Sequence, residues 1–181
     1  TREEIEKTIR ETELRVRELE TIGKNSEYFQ ELSDLALLQL EIGYYTESEK
    51  NIFVCLKHFK KQKDKLGQAA VYGILGVIYF KSEQYQKSIQ YYNLAYEIYD
   101  KFHQIQEQIT CLIGIGNNFI KLNQFDEACE IFLECSAICS DNKDIYNLLD
   151  CLGNLITLYE KQENWDIVYE LSFFFIIPRL K

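Results

Sequence analysis

The stretch Tyr72–Gly73–Ile74–Leu75–Gly76–Val77–Ile78–Tyr79, followed by Tyr85, Ser88, Tyr92 and Ala95, decides the fold. Its apolar and small residues recur at spacings of three and four, which places them along one stripe of a helix. The polar triplet Ser82–Glu83–Gln84 interrupts the stripe, and a second one begins at Tyr85. Two stripes broken by a short polar turn describe a helical hairpin. Small residues within the stripes let the two helices approach, and the aromatic after the turn fills the wedge between them.

The pattern repeats. Segments starting at Phe29, Ala69, Ile109 and Leu149 align without a gap, each 40 residues after the last. One row reads Leu32, Tyr72, Leu112, Leu152. The next two read Leu35, Leu75, Ile115, Leu155 and Ala36, Gly76, Gly116, Ile156. After the turn come Tyr45, Tyr85, Phe125, Trp165, then Ser48, Ser88, Ala128, Val168, and Ile52, Tyr92, Phe132, Ser172. Each hairpin keeps apolar surface on both flanks and buries it only by stacking on a neighbour. The expected fold is all-α, a right-handed superhelical solenoid of antiparallel helical hairpins at 29–68, 69–108, 109–148 and 149–181. Before them, Ile5, Ile9, Val16, Leu19 and Ile22 give a helical face within a Glu- and Arg-rich segment, so residues 1–24 read as a capping helix ahead of an array over 25–181.

The second segment, Tyr72-x2-Leu75-Gly76-x2-Tyr79 with Ser88-x3-Tyr92, resembles the signature of the tetratricopeptide repeat family. The third matches it with Leu112, Ile115, Gly116, Phe119, Ala128 and Phe132. The first and last depart from it, with Gln39 in an aromatic position and Ile156 in the Gly position. The 40-residue period, and Lys65–Leu66–Gly67–Gln68–Ala69 entering a repeat, are similar to the LGN/Pins-type and Rap-type subclasses. HEAT-like arrays share the period but lack the Gly76 and Tyr79 spacing.

The resemblance implies a scaffold that binds a peptide or protein segment on the wall built by the first helix of each hairpin. The positions that fall there include Val77, Lys81, Asn117, Lys121, Asn154, Thr157 and Lys161. An Asn side chain can pair with both the N–H and the C=O of an extended backbone. Lys81, Lys121 and Lys161 form a ladder that suits an acidic ligand or is simply solvated. The family's chaperone-tail clamps need Lys, Asn and Arg where this chain has Ser33, Leu37, Ile74, Thr110 and Gly114, so an acidic chaperone tail is not an expected ligand. A signalling-peptide sensor is a further reading implied by the Rap-type resemblance.

Other chemistries find little support. A net charge of −9 repels phosphate backbones, which argues against nucleic acid. The longest apolar run, Phe173–Phe174–Phe175–Ile176–Ile177, is too short for a membrane span. His58 and His103 stand at no catalytic spacing and read as exposed surface residues. No nucleotide-binding glycine motif occurs. No enzyme activity and no cofactor are expected. The basic run Lys57–Lys65 reads as a solvated helix end, with an acidic surface or headgroup as the alternative.

The six cysteines, Cys55, Cys111, Cys129, Cys135, Cys139 and Cys151, form no C-x-x-C pair and lie in apolar helical patterns. They read as buried free thiols in a cytoplasmic protein, with no metal site. Cys135 and Cys139 share a helical face, and Cys111 and Cys151 share a row, but zinc needs four converging soft ligands. A chain that lacks Met and ends on an apolar segment is expected to continue into further repeats, or to pair through that segment with a partner or a second copy, the alternative being that the segment folds back and buries itself.

Overall fold

In the computed structural model, described over residues 1–176, nine α-helices and no strand occur among the described residues. They are α1 Arg2–Ile22, α2 Ser26–Glu41, α3 Tyr45–Gln62, α4 Lys65–Lys81, α5 Tyr85–Lys101, α6 Ile105–Lys121, α7 Phe125–Asp141, α8 Ile145–Lys161 and α9 Trp165–Ile176. The chain divides into two compact units, Thr1–Ile98 and Tyr99–Lys181.

The connections repeat as regularly as the helices. Within hairpins, Glu83, Asn123 and Glu163 have φ of 62, 57 and 57°, and Gly43 holds the matching place at 89°. Between hairpins, Lys63, His103 and Lys143 have φ of 58, 54 and 57°. One left-handed residue closes each helix from α2 to α8 and turns the chain back, the usual way a helix ends on satisfied carbonyls. At the next helix start Asp64 accepts from the Gly67 amide at 2.9 Å, and Asp144 accepts from the Asn147 amide at 3.1 Å. These are N-caps, which satisfy amides that have no partner inside the helix.

In the first unit, α1 packs Ile9, Val16 and Leu19 into a core shared with α2 and α3. Ile22, expected on the same face, is instead 78% exposed, because α1 ends there at Gly23 and the chain departs. Ser48 on α3 donates to the Ala36 carbonyl on α2 at 2.6 Å, and Ser88 on α5 donates to the Gly76 carbonyl on α4 at 2.7 Å. Both hydroxyls are fully buried, so each bond ties the two helices of a hairpin together. Gly76 faces the Tyr92 ring, and a Cβ there would stand 2.9 Å from it.

The first hairpin's departure from the aromatic row has a polar explanation. Tyr79 on α4 stacks on Tyr91 on α5, with centroids 5.2 Å apart and planes 10° apart. The same two places in the α2/α3 hairpin hold Gln39 and Asn51. There the Asn51 amide donates to Gln39 Oε1 at 2.9 Å, with Gln39 buried. A hydrogen-bonded amide pair replaces a ring pair at equal register.

In the second unit the same devices recur with apolar parts. Ala128 takes the place of the serine, and the Phe132 ring lies against Gly116, where a Cβ would be 2.7 Å from the ring's Cε2 and Cζ. The Gln108 amide donates to the Tyr99 carbonyl at 3.3 Å. In the first unit Gln68 makes the equivalent bond to Phe59 at 3.2 Å.

Candidate functional site

The sequence-derived wall residues divide between the units. In the first, α4 carries half-buried Val77 and exposed Lys81 one turn apart. In the second, α6 carries Asn117 and Lys121, and α8 carries Asn154, Thr157 and Lys161. The N-terminal ends of α6 and α8 are tied together. Gln106 Nε2 donates to Asp144 Oδ2 at 2.8 Å, and Asn147 Nδ2 donates to Gln106 Oε1 at 3.4 Å. The hydrogen bonds at Asp144 hold its carboxyl below the usual carboxylate range, that from Gln106 first.

Along these two helices the candidates differ in what they can offer. Asn117 is half-buried, and among the described residues its amide makes no hydrogen bond. Asn154 already donates to the Asp150 carbonyl at 3.1 Å, which leaves its side-chain oxygen to accept. Thr157 donates back to the Gly153 carbonyl at 3.0 Å. Lys121 is exposed. Lys161 has its ammonium 5.2 Å from the centroid of the Phe125 ring, and the adjacent Gln162 donates to Asp126 at 2.7 Å. Lys161 is thus drawn toward the start of α7 by a cation–π contact.

The sequence predicts two exposed histidines. His103 is exposed and sits at the left-handed residue after α5. His58 is half-buried instead. Its ring stacks on Phe29 with centroids 3.6 Å apart and planes tilted by 22°, so it is packed against α2. Lys24, Lys57 and Lys61 line the same shallow hollow. Lys24 is paired with Glu20 at 2.8 Å.

The second unit also presents a groove of about 440 Å³ between α7, α8 and α9. Ile145, Leu148, Leu149, Leu152 and Leu171 line it together with Ala137. Along α9, Trp165, Tyr169 and Phe173 follow one another by four residues and are 51%, 74% and 66% exposed. The last residue of the Phe173–Ile177 run lies outside the described residues.

All six cysteines are free and buried. The sequence reading did not foresee that the sulfurs of Cys135, Cys139 and Cys151 lie within 4.8 Å of one another. The i, i+4 spacing of Cys135 and Cys139 was the available signal. Cys151 enters from α8, across the hairpin connection.

The hairpin geometry agrees with the comparisons to known proteins. Residues 69–102 match the family described as tetratricopeptide repeat. The chain is built of tetratricopeptide-type hairpins. No curated protein matches it in sequence. Among solved structures, BtubC from P. vanneervenii is similar with a TM-score of 0.77 at 18% identity, over 92% of this chain and 70% of that one. A putative kinesin light chain from Podosopora anserina, with nearly identical TPR-like repeats, gives 0.78 at 14% over 93% and 83%. A Rap protein in complex with Competence and Sporulation Factor gives 0.74 at 15% over 97% and 49%, so the chain spans about half of it. At such identities the likeness is one of fold. Among the described residues, no helix of these tetratricopeptide-type hairpins is long and apolar enough to cross a membrane.

Proposed function

We propose that the chain is a non-enzymatic protein-interaction scaffold whose α6 and α8 take an extended segment of a partner protein. The observation that carries this reading is Asn117. A half-buried amide with no hydrogen bond of its own among the described residues keeps both a donor and an acceptor for a ligand backbone. Asn154 adds an acceptor on α8, and exposed Lys121 adds a cation suited to acidic side chains. A Rap protein of similar fold in complex with Competence and Sporulation Factor supports ligand capture by such hairpins. The expected result is that Asn117→Ala combined with Asn154→Ala weakens segment binding by at least about tenfold, equivalent to about 1.4 kcal/mol. Affinity capture followed by titration of the recovered partner measures it. Undiminished binding to every partner removes the α6/α8 reading.

A second reading, assembly through α9, is favoured by Tyr169. The equivalent places in the earlier hairpins hold Glu49, Ile89 and Cys129. Ile89 and Cys129 are buried, and Glu49 accepts a hydrogen bond from Tyr79. Tyr169 remains 74% exposed, flanked by Trp165 and Phe173. An apolar stripe of this kind pairs with a partner. A second copy of the chain is then expected to cover it. Sedimentation should show a concentration-dependent dimer that Trp165→Ser with Tyr169→Ser disperses. A monomer at high concentration rejects self-association.

A further inference from the structure

We propose that Cys135, Cys139 and Cys151 form a binding site for one soft monovalent cation, Cu(I), inside the second unit. Cys135 and Cys139 lie one turn apart on α7 and project the same way, as any i, i+4 pair does. Cys151 stands on α8 opposite them. All three are fully buried, and their sulfurs fall within 4.8 Å of one another. A metal about 2.3 Å from each of three sulfurs holds those sulfurs about 4 Å apart. The observed triangle therefore needs a contraction of less than about 1 Å, within reach of χ1 adjustments at three unbranched side chains.

The choice of ion follows from ligand type and number. Thiolates select soft metals. Zinc closes a structural site with four ligands, and among the described residues no fourth Cys, His, Asp or Glu joins the three within the same distance. Cu(I) needs no fourth ligand. The sulfurs bind as thiolates, so the protons they carry leave to solvent as the cation binds. Cys135 has a structural use as well, since its thiol points at the Ile109 carbonyl 4.0 Å away, as Cys55 points at Phe29 at 3.6 Å. That contact explains one cysteine of the three. It does not account for Cys139 and Cys151 beside it.

The test titrates the full chain, reduced and under anaerobic conditions, with Cu(I) against a chromophoric Cu(I) chelator. Cys135→Ala, Cys139→Ala and Cys151→Ala are compared with Cys111→Ala and Cys55→Ala, buried thiols outside the cluster. Circular dichroism of each variant shows whether it remains helical. One Cu(I) per chain is expected, weakened more than about 100-fold in each cluster variant, beyond what loss of an outer-shell partner alone costs, and unchanged in the two controls. X-ray absorption should show sulfur neighbours only. If a cluster variant does not fold, the parent's thermal midpoint still decides. It rises with one equivalent of Cu(I) if the site exists, and a flat response overturns the proposal. Equal retention of Cu(I) in all five variants, no retention against the chelator, or preferential retention of Zn(II) likewise overturns it.

Discussion

Replacing Phe132 with Ala lowers the unfolding free energy of the second unit by about 3–5 kcal/mol, the usual cost of emptying a buried aromatic site. Phe132 is among the largest fully buried side chains of the described residues. Its ring lies against Gly116, whose absent Cβ is what lets α6 and α7 approach. The space left by the ring is walled by two helix backbones and closes poorly. The reverse change, Gly116→Val, drives new carbons into a ring that has nowhere to go and costs about 1–3 kcal/mol. The two are coupled because each occupies the other's space. The double variant is expected to be more stable than the sum of its parts predicts. Urea unfolding followed by circular dichroism reads all three. A loss under about 1 kcal/mol for Phe132→Ala would mean that the glycine–aromatic contact does not hold the hairpin.

Alkaline conditions should destabilise the second unit steeply between pH 9 and 11. Burial first, and then Glu107, push the Cys111 thiol from an ordinary 9.0 up to about 12. Burial first, and then the charge of Cys151, push Cys139 up to about 11. Tyr99 is raised from 10.0 to about 12, by burial before Cys111 and Glu107. Below pH 9 the folded and unfolded chains both keep these protons, so these three groups add no pH dependence there. Above it the unfolded chain loses thiol protons that the folded chain retains. Stability therefore falls, by up to about 1.4 kcal/mol per pH unit for each such group. The fall ends once pH passes the folded values. Cys151 runs the other way: its depressed value adds stability that is complete above 9 and fades as pH drops through its folded value. It does not offset the alkaline loss. Thermal midpoints are expected to fall on the order of 10 °C across this window. Cys111→Ala should flatten the slope whatever it does to the absolute midpoint. A midpoint that is level from pH 8 to 11 contradicts the burial of these thiols.

The fold was readable in the sequence because it rests on a period. Gly76 and Gly116, Tyr92 and Phe132, Ser48 and Ser88 each recur at 40, and each row turns out to be a contact within a hairpin. Contacts that depend on two helices meeting at a particular angle left no such trace. His58 was read from its basic neighbours, yet its ring answers to Phe29, which is 29 residues away in sequence. Ile22 continued the apolar spacing of α1 past the point where the helix leaves the core. Asn117 and Asn154 lie on α6 and α8, but spacing alone did not reveal that Lys161 leans onto Phe125. The sulfur triangle was missed for the same reason. Two of its corners are one turn apart, and the third depends on how α8 docks.

The left-handed residues at 63, 103 and 143, and at 83, 123 and 163, give the six seams from α3 to α9 the same backbone turn. A gene segment encoding one whole period can then be copied or lost without creating a mismatched joint, because any new junction reproduces an old one. Such a chain can change its reach by recombination alone, leaving its folding rules untouched.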